Sequence, residues 1–394
     1  MSDAGGARFE PDRLDDQAYL AEGDPSGMLR SVASSAAQVR TAYRAAVEAG
    51  VARMVANGRP RAIVVAGMGG AGISGDVLDA VCGNGTPLPI ITVRGYRLPG
   101  WVGAADLVMV VSRSGNSEET LALAAEAVRR GSPTLGVGAA ESPLAALVAR
   151  GGGTFVPVSS GANQPRAALW ELLVPLVVAA SEMNLVKAGE DVFEAVATRL
   201  EDISHRCRPS SESFINPGKT LAMELAGSIP LVWGTSPIAA VAAHRLACQL
   251  NENAKYPAIW GEIPEVHHNQ VATLDGPLAG RDIFADPFAD EPDEPDEPDG
   301  PGGLGGPDAR LRLILLRDVE EHPQVAKRRV VSVRLAEDRG VPVSEVLAQG
   351  GHPLERLATL VGLGDYASVY LALGYGIDPT AVSAIAELKA RISQ

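Results

Sequence analysis

The chain has 394 residues, 46% hydrophobic but only 4% aromatic, which suffices for two domains with cores of Ala, Val, Leu and Ile. Its net charge of -14 argues against a nucleic-acid or anionic-membrane partner. Cys82, Cys207 and Cys248 are widely spaced, which suits a reducing cytoplasm and no disulfide framework. The opening Met-Ser-Asp-Ala-Gly-Gly has neither a basic start nor an apolar stretch, so it is no secretion signal. No apolar run approaches a membrane span, and a cytoplasmic location is expected.

Residues 1–58 read as a helical lead, alanine-rich and periodic from Met28 to Val55. Over residues 59–186, apolar runs at 62–66, 88–93, 107–111, 133–137 and 154–158 alternate with helical stretches. That rhythm is the sign of an α/β fold with a doubly wound, mainly parallel sheet flanked by helices. The first run enters Gly67-Met-Gly69-Gly70-Ala71-Gly72, where glycines let the backbone approach a ligand closely. The third enters Ser112-Arg113-Ser114-Gly115-Asn116-Ser117, followed by Glu118 and Glu119 at a helix start. Hydroxyls and free helix-end amides at one spot suit a phosphate monoester without an arginine or lysine fork. Taken alone, either stretch also fits an ordinary strand-turn-helix connection.

The spacing Gly67-x-Gly69-x-x-Gly72 matches the dinucleotide fingerprint, a weak signal by itself. The next strand ends in Arg94-Gly95 where a ribose-gripping acid would stand. An NADP reading through Arg94 survives, but it leaves the serine loop unexplained.

Helices over 167–182 and 191–205 link two halves, with residues 187–228 as a helical connection. The pattern restarts over residues 229–394. Ile229–Gly234 runs into Thr235-Ser236 and a helix over 238–250, a weak echo of the first glycine loop. Strands are expected at 256–260, 311–316 and 330–335, and helices at 343–349 and 353–374. The acidic, proline-rich insertion 285–308 cannot bury enough apolar surface to order itself and is expected to be disordered.

Glu252 lies in Asn251-Glu252-Asn253-Ala254-Lys255, and His268 follows sixteen residues later in Glu265-Val-His267-His268-Asn269-Gln270. A carboxylate and an imidazole in one cleft form a proton-handling pair, as moving a proton between adjacent sugar carbons and opening the ring both require. The plainer alternative is a surface Glu252–Lys255 pair and a packed His268. A metal site is not expected. His267, His268, His352 and Cys248 offer donors, but no Cys-x-x-Cys or His-Glu-x-x-His spacing exists.

Together the two loops resemble the sugar isomerase (SIS) domain, whose serine-rich loop holds a sugar phosphate. With segments 251–255, 265–270 and Ile385-Ala-Glu-Leu388-Lys389, the chain resembles the SIS-type bifunctional phosphoglucose/phosphomannose isomerases. The resemblance covers most of residues 28–394 and implies two tandem SIS-type subdomains. It implies an aldose–ketose isomerase for glucose 6-phosphate and mannose 6-phosphate, without cofactor. Gly69, Gly70, Ser112, Ser114 and Ser117 would hold the phosphate. Glu252 would shuttle the proton through an enediol, His268 would open the ring, Lys389 would assist near the ring oxygen, and Arg166 would steady the enediolate. A homodimer with active sites at the interface is implied as well.

Three departures stand out. Ala71 occupies the position of a phosphate-binding serine, Arg113 that of an aromatic, and His267 and Gln270 replace an asparagine and an acid. They keep open a second reading, a sugar-phosphate sensor without turnover. A glutamine-dependent synthase would need an N-terminal cysteine nucleophile, and residue 2 is Ser. A regulator of this superfamily would carry a basic helix-turn-helix, which the acidic lead does not provide.

Overall fold

Parallel pairing joins all the strands of a computed structural model of the chain, which describes residues 8–54, 58–158, 164–279 and 310–392. Two compact units result. The first comprises Arg30–Asp202 with Gly350–Ala358, the second Met1–Leu29, Ile203–Gln349 and Thr359–Gln394.

The chain opens with a 3-10 turn and α1 (Gln17–Gly23), α2 (Met28–Ala33), α3 (Ser35–Glu48) and α4 (Val51–Met54). The first sheet follows as β1 (Ile63–Ala66), α5 (Gly70–Cys82), β2 (Ile90–Val93), β3 (Leu107–Ser112), α6 (Glu118–Arg129), β4 (Thr134–Ala139), α7 (Pro143–Arg150) and β5 (Thr154–Val158). Its strand order is β2-β1-β3-β4-β5. Every residue of β1 and β3 is buried, as expected for strands covered on both faces. Val64, Val108, Val110, Leu123, Ala124, Leu144 and Val148 form one side of that core. Two helices, α8 (Leu169–Glu182) and α9 (Glu190–Arg206), come next, and α8 is buried from Leu169 to Ala180.

The second sheet is built from α10 (Pro217–Leu225), β6 (Ser228–Gly234), α11 (Pro237–Asn253), β7 (Ile259–Glu262), β8 (Arg310–Arg317), α12 (Pro323–Asp338) and β9 (Val343–Leu347). Its order is β7-β6-β8-β9, over a core of Leu231, Trp233, Leu313, Leu315, Ala336 and Val341. The chain continues through α13 (Pro353–Gly374) and α14 (Ser383–Ile392).

Two expected elements are exchanged. Residues 330–335, read as a strand, lie inside helix α12, and 343–349, read as a helix, contain strand β9. The β-branched run Val330-Val331-Ser332-Val333 suggested extended chain, but β8 and β9 are parallel neighbours. A parallel pair needs a crossover, and α12 supplies it. The strand expected at 256–260 begins only at Ile259. The acidic insertion 285–308 lies outside the described residues.

No apolar run of membrane-span length was expected, yet α13 has 22 residues and mean hydropathy 1.3 over its most apolar window. That window is 94% buried within the protein, so its apolar surface is already used in packing.

Candidate active site

The order β2-β1-β3-β4-β5 reverses direction between β1 and β3. In open α/β sheets such a reversal leaves a crevice at the carboxyl ends of the two strands, where ligands bind. The two loops singled out in the sequence leave those two ends. The order also differs from the 3-2-1-4-5-6 arrangement of dinucleotide-binding sheets, and Arg94 is paired with Asp76 on α5. The NADP reading finds its cation already paired, and it leaves the serine loop unexplained.

In the loop after β1, Gly69 has φ +53° and stands as the N-cap of α5. That conformation favours glycine, and a Cβ there would meet nothing within 4 Å. Gly67 and Gly72 are required for a different reason. A Cβ on Gly72 would come within 2.9 Å of the Gly67 carbonyl oxygen. The amides of Ala71 and Gly72 both donate to the Met68 carbonyl. Those of Gly69 and Gly70 bond to no backbone carbonyl among the described residues. Ser74, the other hydroxyl near Ala71, is wholly buried and its hydroxyl has no partner among the described residues.

In the loop after β3, Gly115 has φ +63°, and a Cβ there would fall 2.2 Å from Ser142 Oγ. The turn closes through Gly115 N–H to the Ser112 carbonyl at 2.9 Å. Ser112 is buried, Ser114 exposed and Ser117 intermediate. Ser117 is the N-cap of α6 but its hydroxyl caps no amide, pairing instead with Ser112 Oγ at 3.1 Å. Among the described residues, the first α6 amide with a backbone acceptor is Leu121, to Ser117. The helix therefore presents a turn of free N–H groups beside two hydroxyls, an anion site in its electrostatics. Thr120 sits in the same turn with a buried hydroxyl that has no partner among the described residues. Its only signal in the sequence was its place three residues after Ser117.

Arg113 does not point its charge into open space. Its Nε lies 3.6 Å from Glu171 Oε2, and the Glu171 side chain is 2% exposed. Glu171 lies in the first turn of α8, just beyond the 3-10 turn Pro165–Ala167 that carries buried Arg166. An aromatic at position 113 would leave that carboxylate without this charge, which accounts for the arginine.

A cavity of about 800 Å³ lies elsewhere in this unit, at the amino ends of the strands. Arg53, Arg59, Arg61, Gly131, Gly152 and Met183 line it where α6, α7 and α8 end. Cationic side chains complement the negative ends of those helices, and none of the candidate groups faces it.

The second sheet has its own reversal, between β6 and β8. There the loops close on themselves. Ser236 Oγ accepts from Ala239 N–H at 3.2 Å and donates to Asp318 Oδ2 at 2.8 Å. The Asp318 amide donates to Thr235 Oγ1 at 3.0 Å. Asp318 is 4% exposed, so a carboxylate already occupies the anion position.

Glu252, half-buried, lies in the last turn of α11. His268 is exposed at the end of the 3-10 turn Glu265–His268. Its neighbours are fixed on both sides. Gln270 Oε1 accepts from buried Trp233 Nε1 at 2.7 Å, and its Nε2 donates to the Trp260 carbonyl at 2.9 Å. A carboxylate at 270 could accept the first bond but not donate the second, so the amide suits this turn. His267 Nε2 lies 2.7 Å from Ser332 Oγ, whose hydroxyl donates to the Arg328 carbonyl. His267 therefore donates from Nε2, while Arg328 Nη1 faces its Nδ1 at 3.5 Å. Burial, then the charge of Arg328, holds the His267 pKa below its ordinary value. His267 is thereby tied to α12 through Ser332. Lys389 is exposed on α14, a helix with no buried residue. No three His, Cys, Asp or Glu side chains gather as a metal site among the described residues.

The family described as the bacterial phospho-glucose isomerase C-terminal SIS domain matches residues 214–392. A bifunctional phosphoglucose/phosphomannose isomerase from Aquifex aeolicus is 30% identical over 336 residues, 85% of this chain and 91% of that protein. The chain belongs to the bifunctional phosphoglucose/phosphomannose isomerase family. It is thus an enzyme of the isomerase class. The bifunctional phosphoglucose/phosphomannose isomerase from Caldicellulosiruptor bescii is 28% identical over 332 residues, 84% of this chain and 89% of its own length. In fold, the chain is similar to a hypothetical protein from Thermus thermophilus, with TM-score 0.67, 13% identity, and 97% and 94% of the two chains covered. The α/β architecture of two helix-flanked parallel sheets is that of the SIS fold.

Proposed function

We propose that the chain interconverts glucose 6-phosphate or mannose 6-phosphate with fructose 6-phosphate. The observation that carries this reading is the pair of loops at the β1/β3 reversal, with free helix-end amides and the hydroxyls of Ser112, Ser114 and Ser117. Gly69 and Gly70 add backbone donors. These groups hold the phosphate of the substrate, remote from the reacting carbons.

Glu252 takes the proton from C2 of the open-chain aldose while O1 gains one, giving the C1–C2 enediol. Return of the carbon-bound proton to C1, with loss of the O2 proton, yields the ketose. Glucose and mannose differ only at C2, and the enediol has no stereocentre there, so one mechanism serves both. His268 and Lys389 assist ring opening, and the buried Arg166 guanidinium opposes the negative charge that develops on the enediolate oxygens. The free thiols Cys82, Cys207 and Cys248 favour a cytoplasmic enzyme. A homodimer is favoured by α14, which exposes Ile385, Leu388 and Ile392 on one face.

Glu252→Gln tests the base. The amide keeps the shape but cannot accept a proton, so turnover should fall by roughly 10²–10⁴-fold while hexose-phosphate binding persists. Near-parental turnover in that variant would remove Glu252 from the mechanism.

A further inference from the structure

Helix α11 carries three polar residues at intervals of four, Arg245, Gln249 and Asn253, all on one face. Every one is buried, at 3%, 2% and 0% exposure. They meet α13, where Asp365 is 4% and Ser368 0% exposed. Arg245 donates twice to Asp365, from Nε to Oδ1 at 2.9 Å and from Nη2 to Oδ2 at 2.7 Å. Gln249 Nε2 donates to the same Oδ1 at 3.1 Å. One turn on, Asn253 Nδ2 donates to Ser368 Oγ at 2.8 Å, and that hydroxyl donates to the Asp365 carbonyl. The cluster ends beside Glu252.

A buried ion pair is a poor source of stability, because removing two charges from water offsets most of their attraction. Its distinctive property is direction. Much of the rest of α11 is alanine, with Ala239, Ala240, Ala242, Ala243 and Ala247 buried. Such small side chains give few knobs to fix the rotation of a helix about its axis. A slip of one residue would turn the helix by about 100° and shift it by about 1.5 Å. Either displacement would carry Glu252 out of reach of a bound sugar, since misplacement by about 1 Å costs on the order of 100-fold in rate. The helix end is further tied by Asn251 Nδ2 to the Tyr256 carbonyl at 2.8 Å and by Lys255 Nζ to the Asp378 carbonyl at 2.8 Å.

We infer that Arg245, Gln249 and Asp365, with the Asn253–Ser368 bond, are positioning residues that set the rotation and height of α11 and so aim Glu252. This rests on Glu252 being the base of the proposed reaction.

The test replaces the pair by apolar residues of similar size, Arg245→Met with Asp365→Leu, in the full chain. Melting temperature, kcat, KM and inhibition by inorganic phosphate are measured beside Glu252→Gln. The expected result is a melting temperature near the parent's, kcat lower by tenfold or more, and KM and phosphate inhibition within about twofold. Parental kcat in the folded double variant would overturn the inference while leaving the function intact, provided Glu252→Gln is inactive. Near-parental turnover in Glu252→Gln would overturn both. Should the double variant fail to fold, Ser368→Ala decides. A several-fold loss of kcat with unchanged melting temperature and KM supports the inference, and unchanged kcat refutes it.

Discussion

In the proposed reading, Ala71 is the residue at which this chain gives up a hydroxyl on the phosphate side. Its amide is engaged with Met68, and the nearby Ser74 hydroxyl is sealed in the interior, so neither supplies the missing donor. Ala71→Ser is therefore expected to lower KM by roughly tenfold, the effect of one hydrogen bond to a charged group. Ser114→Ala should raise it, with kcat little changed in either, because the phosphate is held alike in ground and transition states. Steady-state kinetics on each variant decide, and a rise in KM for Ala71→Ser would show that the phosphate lies elsewhere. Glu262, at the end of β7, makes no hydrogen bond or ion pair among the described residues, and burial raises its pKa. A carboxylate with a raised folded-state pKa is a penalty that is complete above that pKa and absent below the unfolded value. Glu262→Gln should accordingly raise the melting temperature at pH 7, with the gain fading as pH falls through the carboxylate range. Thermal melts at pH 7 and below pH 4 check the sign, and an equal gain at both would exclude ionisation as the cause.

At the scale of elements, both sheets use the same device at the strand that precedes the reversal. Gly67 and Gly72 let α5 approach β1, and Gly234 does so for α11 at β6. A Cβ at Gly234 would stand 2.2 Å from Ala240 N and 2.4 Å from the Ala239 carbonyl carbon, which is backbone and cannot yield cheaply. Gly234→Ala should push α11 off its strand, with a stability loss of about 1–3 kcal/mol and a fall in kcat through Glu252. Denaturant unfolding and kinetics on that variant measure the two effects, and a parental midpoint would contradict the packing argument. These glycine and serine loops were legible in the sequence because turn chemistry is local. The exchange of α12 and β9 was not, since Val330 and Val331 are 41% and 53% exposed on a helix that only the parallel pairing of β8 and β9 requires. Nor was the closure of the second reversal by Asp318, whose partner Ser236 is 82 residues away. The Arg245–Asp365 pair, separated by 120 residues, was equally hidden. Side-chain hydrogen bonds over such distances leave no periodic trace.

For the whole molecule, the two sheets share a topology but not a chemistry. The first keeps its reversal open with free donors, while the second fills the equivalent place with a carboxylate and carries Glu252, His268 and Lys389 instead. The proposed reading accordingly places the phosphate at the first reversal alone. The departures that favoured a sensor have structural reasons. Arg113 faces a buried glutamate, Gln270 clamps Trp233 and Trp260, and His267 is bonded to Ser332. Under the proposed function only Ala71 remains as a loss, and its predicted effect is on affinity rather than on proton transfer. The decisive measurement is a coupled assay of fructose 6-phosphate formation from glucose 6-phosphate and from mannose 6-phosphate, each with and without EDTA. Turnover of both sugars, undiminished by the chelator, is the result predicted. Binding of either sugar phosphate with no ketose formed would contradict the account and leave a sensor.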